Sequence, residues 1–209
     1  MIETDRQGLV AAFEQSSGKK VWSKHYSTFE GKGLSVGESG FWSDNLSARI
    51  AGGVTVAYQT VFFGTENGEV VALDATTGEQ KWKTIVKGEV LAAPAVDAGI
   101  VLLNTGSGFV FALNADTGEE VWVYESDVPP LSLRGVSAPS AVNGGAVIGT
   151  ATGKLVVNIL DSGQTAWEQV ISAATGVTEL ERIVDIDSTP LVVGGNVYVI
   201  SYDGTLAVV

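Results

Sequence analysis

The chain has 209 residues, 45% hydrophobic and 17% charged, which is ample for a sizeable core and argues against disorder. A net charge of −12 disfavours nucleic acid or an anionic membrane surface as partner, and no apolar run is long enough to span a bilayer. The absence of cysteine suits an oxidising compartment with no thiols to mispair.

Residues 1–26 introduce a pattern that recurs to the end of the chain. Gly8 is followed by Gly18 and Trp22, and the same spacing returns as Gly68-Gly78-Trp82, Gly108-Gly118-Trp122 and Gly153-Gly163-Trp167. Pro94, Pro139 and Pro190 stand 14 residues before Gly108, Gly153 and Gly204, with Val54 in the equivalent place before Gly68. An internal repeat of this length fixes an architecture before any single residue is interpreted. Residues 27–53 form an insertion carrying Gly31, Gly33, Gly37, Gly40 and an off-register Trp42. Three complete units follow at 54–86, 90–126 and 135–171, and a further one begins over 186–209.

The unit 90–126 shows what each repeat builds. Pro94-Ala95-Val96, Ile100–Asn104, Phe109–Leu113 and Glu119–Tyr124 are short runs rich in Val, Ile, Phe and Trp, separated by Gly, Asn and Asp turns. Four short strands per repeat of about 40 residues predict an all-β chain, a β-propeller with four-stranded blades. No window of ten or more residues carries a helical period. The turns Asp74–Gly78 and Asn114–Gly118 end on a glycine suited to positive φ and open on a side chain able to bond its own backbone. The tryptophans are read as packing between blades.

Residues 1–26 read as the back half of one blade and 186–209 as the front half of another. With three full blades between them the sequence holds about four. Such an arc leaves open strand edges, so further repeats on both sides are expected, and self-association through those edges is a second expectation.

Spacing inside a repeat hardly varies, whereas the Trp-to-Pro gaps run 82 to 94, 122 to 139, 167 to 190 and, ending on Val54, 22 to 54. That segment crosses one face of the disc, from the rim to the strand nearest the axis, so variable length there marks one face as functional. Two stretches on it stand out. In Pro129-Pro130-Leu131-Ser132-Leu133-Arg134-Gly135 the two prolines stiffen the chain, and an extended backbone would place both leucines on one side. In Asp185-Ile186-Asp187 the carboxylates alternate with apolar residues. Arg134 and Asp185 each lie five residues before a repeat proline, in adjacent blades, so an ion pair of Arg134 with Asp185 or Asp187 is expected.

The chemistry of catalysis is missing. His25 is the only histidine, so no serine has a histidine base to spare, and there is no Cys/His cluster for zinc. Asn104–Gly108 contains Gly-x-Gly, but it joins two strands and opens no helix, so it is a turn and no phosphate cradle. Two aspartates alone are weak ground for a hard-cation site. The expectation is no enzyme, no cofactor and no metal.

The repeat resembles that of the pyrroloquinoline-quinone-type propellers, shared by the quinoprotein dehydrogenases and by the BamB family of outer-membrane lipoproteins. The stretch Pro130–Pro139 is similar to the BamB family's Leu-Ser-Leu-Arg-Gly loop, and Ala174–Glu179 and Val184–Pro190 follow it in that family's order. The resemblance covers nearly the whole chain, as about the first half of an eight-bladed ring. It implies a scaffold on the periplasmic face of the Gram-negative outer membrane. Such a scaffold binds the POTRA domains of BamA and helps unfolded outer-membrane proteins reach it. Carried over, the contact residues are Leu131, Leu133 and Arg134, with Asp185 and Asp187 beside them. The alternative is part of a quinone-dependent dehydrogenase.

Overall fold

The computed structural model describes residues 1–26, 49–133, 135–175, 177–178 and 180–209. Among them the chain forms five antiparallel sheets in which strand order follows chain order. Sheet I holds β1 (Ile2–Thr4), β2 (Leu9–Phe13) and β3 (Lys20–His25). Sheet II holds β4 (Val54–Ala57), β5 (Thr60–Gly64), β6 (Glu69–Asp74) and β7 (Gln80–Ile85). Sheet III holds β8 (Ala95–Asp97), β9 (Ile100–Asn104), β10 (Phe109–Asn114) and β11 (Glu120–Glu125). Sheet IV holds β12 (Ser140–Val142), β13 (Gly145–Gly149), β14 (Lys154–Ile159) and β15 (Thr165–Val170). Sheet V holds β16 (Leu191–Val193), β17 (Asn196–Ile200) and β18 (Leu206–Val208). The first strands lie side by side, β4 against β8, β8 against β12 and β12 against β16, so they surround the axis as propeller blades do.

Local chemistry explains the strands and their turns. The second and third strands of each full blade are the apolar ones, buried on both faces between neighbouring sheets. First and second strands meet at two-residue turns with both central residues at positive φ, as at Ala98 (47°) and Gly99 (78°), the hairpin geometry that matches strand twist. Between third and fourth strands, Asp74 Oδ1 accepts the N–H groups of Thr76 and Thr77 at 2.8 and 2.9 Å, and Asn114 Oδ1 does the same for Asp116 and Thr117. The backbone donors Thr77 and Thr76 hold the Asp74 carboxyl below the usual range. The expected Asx bonds are therefore present.

Each fourth-strand tryptophan reaches into the next blade. The indole N–H of Trp22 donates to Ala75 O at 3.0 Å, that of Trp82 to Ala115 O at 2.9 Å and that of Trp122 to Leu160 O at 2.6 Å. The ring lies on the second repeat glycine of that blade: a Cβ on Gly78, Gly118 or Gly163 would sit 2.5–2.7 Å from ring carbons. The Gly-Trp spacing of the sequence is thus an inter-blade lock, in which glycine is required by its partner's ring as well as by its own backbone. Trp167 is the exception and stays 38% exposed.

Sheets I and V each contain three strands. By repeat register sheet I carries the second, third and fourth strands and sheet V the first, second and third. A single blade assembled from both would duplicate the second and third strands, so the two are not complementary halves.

One core position breaks the repeat. Leu73 and Leu113, five residues after their repeat glycines, are fully buried, and the same position on β14 is Asn158, also fully buried. Neither amide atom of Asn158 has a hydrogen-bond partner among the described residues. Leaving such a group dry costs about 1–3 kcal/mol. Asn158→Leu is expected to raise the urea midpoint of the protein, with no change in the slope of the transition.

Candidate functional site

The segments that lead from the rim of one blade to the first strand of the next stitch the two blades together. Before blade 90–126, Val90 N–H donates to Thr65 O at 3.0 Å in the blade behind, and Glu89 O accepts Gly106 N–H at 2.9 Å in the blade ahead. Before sheet V, Ile186 N–H donates to Thr150 O at 3.1 Å, and Asp185 O accepts Tyr202 N–H at 2.8 Å. Val90 and Ile186, four residues before their prolines, are buried plugs. Each needs a glycine beneath it: a Cβ on Gly64 would meet Val90 at 2.1 Å, and one on Gly149 would meet Ile186 at 2.5 Å.

The segment before Pro139 departs from this scheme. Its plug position is Gly135, which is exposed, and the glycine beneath is replaced by Asn104, which is buried. Asn104 Nδ2 donates to Ser137 O at 3.1 Å and to Gly149 O at 3.4 Å. Among the described residues no bond joins Gly135 to Thr105 O of the kind that Val90 and Ile186 make.

The segment leans instead on the next one. Leu133 N–H donates to Asp185 Oδ2 at 2.8 Å, Ser137 Oγ donates to Ser188 O at 2.8 Å, and Ser140 Oγ donates to Pro190 O. The two stretches singled out in the sequence therefore lie side by side. Between them is a polar cavity of about 30 Å³ lined by Asn104, Leu133, Ser137, Gly149 and Asp187.

Four of the five expected contact residues are described, and they differ in character. Leu131 is exposed and shares a shallow recess with Pro129, Pro130, Ala174 and Arg182. Leu133 is half-buried on the cavity wall, so the leucines face different recesses. The alternation of an extended strand does not apply because no strand forms here. Asp185 is buried, with Oδ2 on the Leu133 amide and no partner for Oδ1 among the described residues. Asp187 is half-buried, its carboxylate 3.3 Å from where a Gly135 Cβ would stand. Arg134 lies outside the described residues, and with it the expected ion pair to Asp185 or Asp187. Trp42 and most of the 27–53 insertion lie outside them as well.

Asn104, Ser137 and Ser188 belong to this site and were not singled out in the sequence. The signal for Asn104 was present in the repeat: aligned on Gly68, Gly108 and Gly153, the position four residues earlier reads Gly64, Asn104, Gly149. No group of three metal-capable side chains occurs among the described residues, and His25 is exposed at the end of β3.

The profile of the family described as "Outer membrane protein assembly factor BamB" matches residues 6–209. A curated relative of that name from Alteromonas naphthalenivorans is 56% identical over 209 residues, all of this chain and 50% of its own length. This chain belongs to the BamB family. It spans about half the length of the curated BamB relatives it matches. The crystal structure of BamB from Moraxella catarrhalis superposes with a TM-score of 0.84 at 30% identity, covering all of this chain and 57% of that one. A quinohemoprotein alcohol dehydrogenase from Pseudomonas putida HK5 superposes with a TM-score of 0.65 at 16% identity, covering 100% of this chain and 38% of the enzyme. At that identity the likeness to the enzyme is one of fold alone.

The two aspartates of this BamB-family site carry an electrostatic cost. Burial pushes both carboxyls above the ordinary range, and the charge of Asp187 adds to the effect at Asp185 while the Leu133 amide opposes it. A carboxyl whose value is raised by folding ionises first in the unfolded chain. Stability is therefore lost as pH climbs from the ordinary value towards the raised one, and the loss is complete above it. Asp185→Asn keeps an acceptor for Leu133 and removes the charge. Thermal unfolding should show this variant more stable than the parent at neutral pH and equal to it near about pH 3, below the ordinary Asp value.

Proposed function

We propose that this chain is the part of a non-enzymatic scaffold that docks the POTRA domains of BamA, and that it does so through the paired segments 129–137 and 185–188. The observation that carries this reading is the raised loop. Leu131 is offered to solvent on a doubly prolyl-stiffened segment whose backbone is latched to Asp185 of the next blade. An exposed apolar side chain on a pre-ordered loop loses little entropy on docking, which is what a hot spot needs. In this role the protein sits at the periplasmic face of the outer membrane as a lipoprotein and helps unfolded barrel proteins reach BamA.

The test is direct binding of the protein to purified BamA POTRA domains, measured by calorimetry beside Leu131→Asp and Arg134→Glu. Leu131 is exposed and outside the blade cores, so folding of that variant is expected to survive. Each substitution is expected to weaken binding by about 2 kcal/mol or more, the scale of a hot-spot loss. Equal affinity of parent and both variants would remove this face from the interface.

A further inference from the structure

We propose that Asn104 is a positioning residue for the docking loop, filling the place of the missing plug and holding the segment 131–137 away from the blade beneath. The proposal rests on the functional reading above for its consequence, though not for its geometry. In the two neighbouring crossings a β-branched plug drops onto a glycine and its N–H bonds the blade behind: Val90 on Gly64, Ile186 on Gly149. In the crossing that carries Leu131 and Leu133 both halves of the device are exchanged. Glycine stands at the plug and asparagine at the floor. A short side chain at 104 that only filled space would leave Ser137 O and Gly149 O without a donor from this side. The amide of Asn104 reaches both and so fixes the segment at a set height. Released from the blade behind, the segment turns to the next blade, where Asp185 takes the Leu133 amide and Ser188 O takes the Ser137 hydroxyl. The exchange thus converts a segment that seals a blade into one that presents side chains.

The test restores the seal. The double variant Asn104→Gly with Gly135→Ile recreates the pairing of Gly149 with Ile186. Amide exchange at position 135 is read by NMR against Val90 and Ile186, whose bonded amides serve as internal references. POTRA binding and the melting temperature are measured on the same samples. The expected result is a melting temperature at least equal to the parent's, exchange at 135 slowed about tenfold or more towards that of Val90, and affinity lowered about thirtyfold. A merely structural Asn104 would not give lost binding in a protein that is no less stable. A folded double variant with unchanged exchange at 135 overturns the proposal, as does slowed exchange with unchanged affinity. If the parent itself fails to bind POTRA domains, the functional reading falls, while the exchange measurement still decides the role of Asn104. If the double variant does not fold, Asn104→Ala replaces it. Faster chymotryptic cleavage after Leu131 or Leu133 together with weaker binding is then expected, and no change in either refutes the role.

Discussion

Trp122→Ala is expected to cost about 3–5 kcal/mol of stability, and Trp167→Ala less than about 1 kcal/mol. The two residues hold the same repeat position and differ only in what lies beyond them. Trp122 is buried between sheets III and IV among Ile100, Leu102, Ala112 and Leu160, and donates to Leu160 O. Its removal leaves a cavity under the ring site and an unmet carbonyl, and Gly163, shaped to lie beneath the ring, cannot fill the gap. Trp167 is 38% exposed and donates no hydrogen bond among the described residues. Urea unfolding followed by far-ultraviolet dichroism compares the pair. Equal midpoint shifts would show that the tryptophan acts within its own sheet and does not lock blades.

The same contrast explains why so much of the fold was legible. A propeller repeats one local solution, so Gly8, Gly68, Gly108 and Gly153 announce the same turn, and the tryptophan spacing announces the same interface. In the four sheets that hold a fourth strand the register slips between the third and fourth strands just before the tryptophan pair, as between Ala72 and Leu73 opposite Trp82 and Gln80. Periodicity does not reveal such a bulge, because it changes pairing without changing composition.

Insertion lengths and register singled out the stretches around Leu133 and Asp185, and the fold brings these two stretches side by side from adjacent blades. The expected ion pair of Arg134 lies outside the described residues, and the partner seen at Asp185 is one the charge pattern did not announce, the backbone N–H of Leu133. Side-chain-to-backbone bonds leave no trace in charge pattern, since every residue offers the same amide. The exchange of Asn104 for glycine was visible only by comparing blades column by column. A substitution at a repeat position carries information that its residue type alone does not.

Gly153→Ala is expected to cost about 3–4 kcal/mol and to disturb the docking surface as well, the sum of a strained backbone and broken turn bonds. Gly153 has φ of +74°, and an added Cβ would stand 2.3 Å from Ser172 O and 3.0 Å from Val184 Cγ2. The first obstacle is held in place: Ser172 N–H and Ile171 N–H donate back to Gly153 O at 3.2 and 2.9 Å. The methyl must therefore break this clasp, and it also presses outward Val184, which adjoins Asp185. The first outcome loosens the start of the segment that ends in Ile186. The second moves the carboxylate that latches Leu133. Gly144→Ala offers the matched control, because Gly144 has a similar φ of +75° with nothing within 4 Å of an added Cβ. It should cost only the backbone strain, about 1 kcal/mol, and leave POTRA binding intact. A loss of affinity in Gly153→Ala beyond its loss of folded protein would tie the turn of sheet IV to the docking loop through Val184. An affinity equal to the control's would confine the effect to stability.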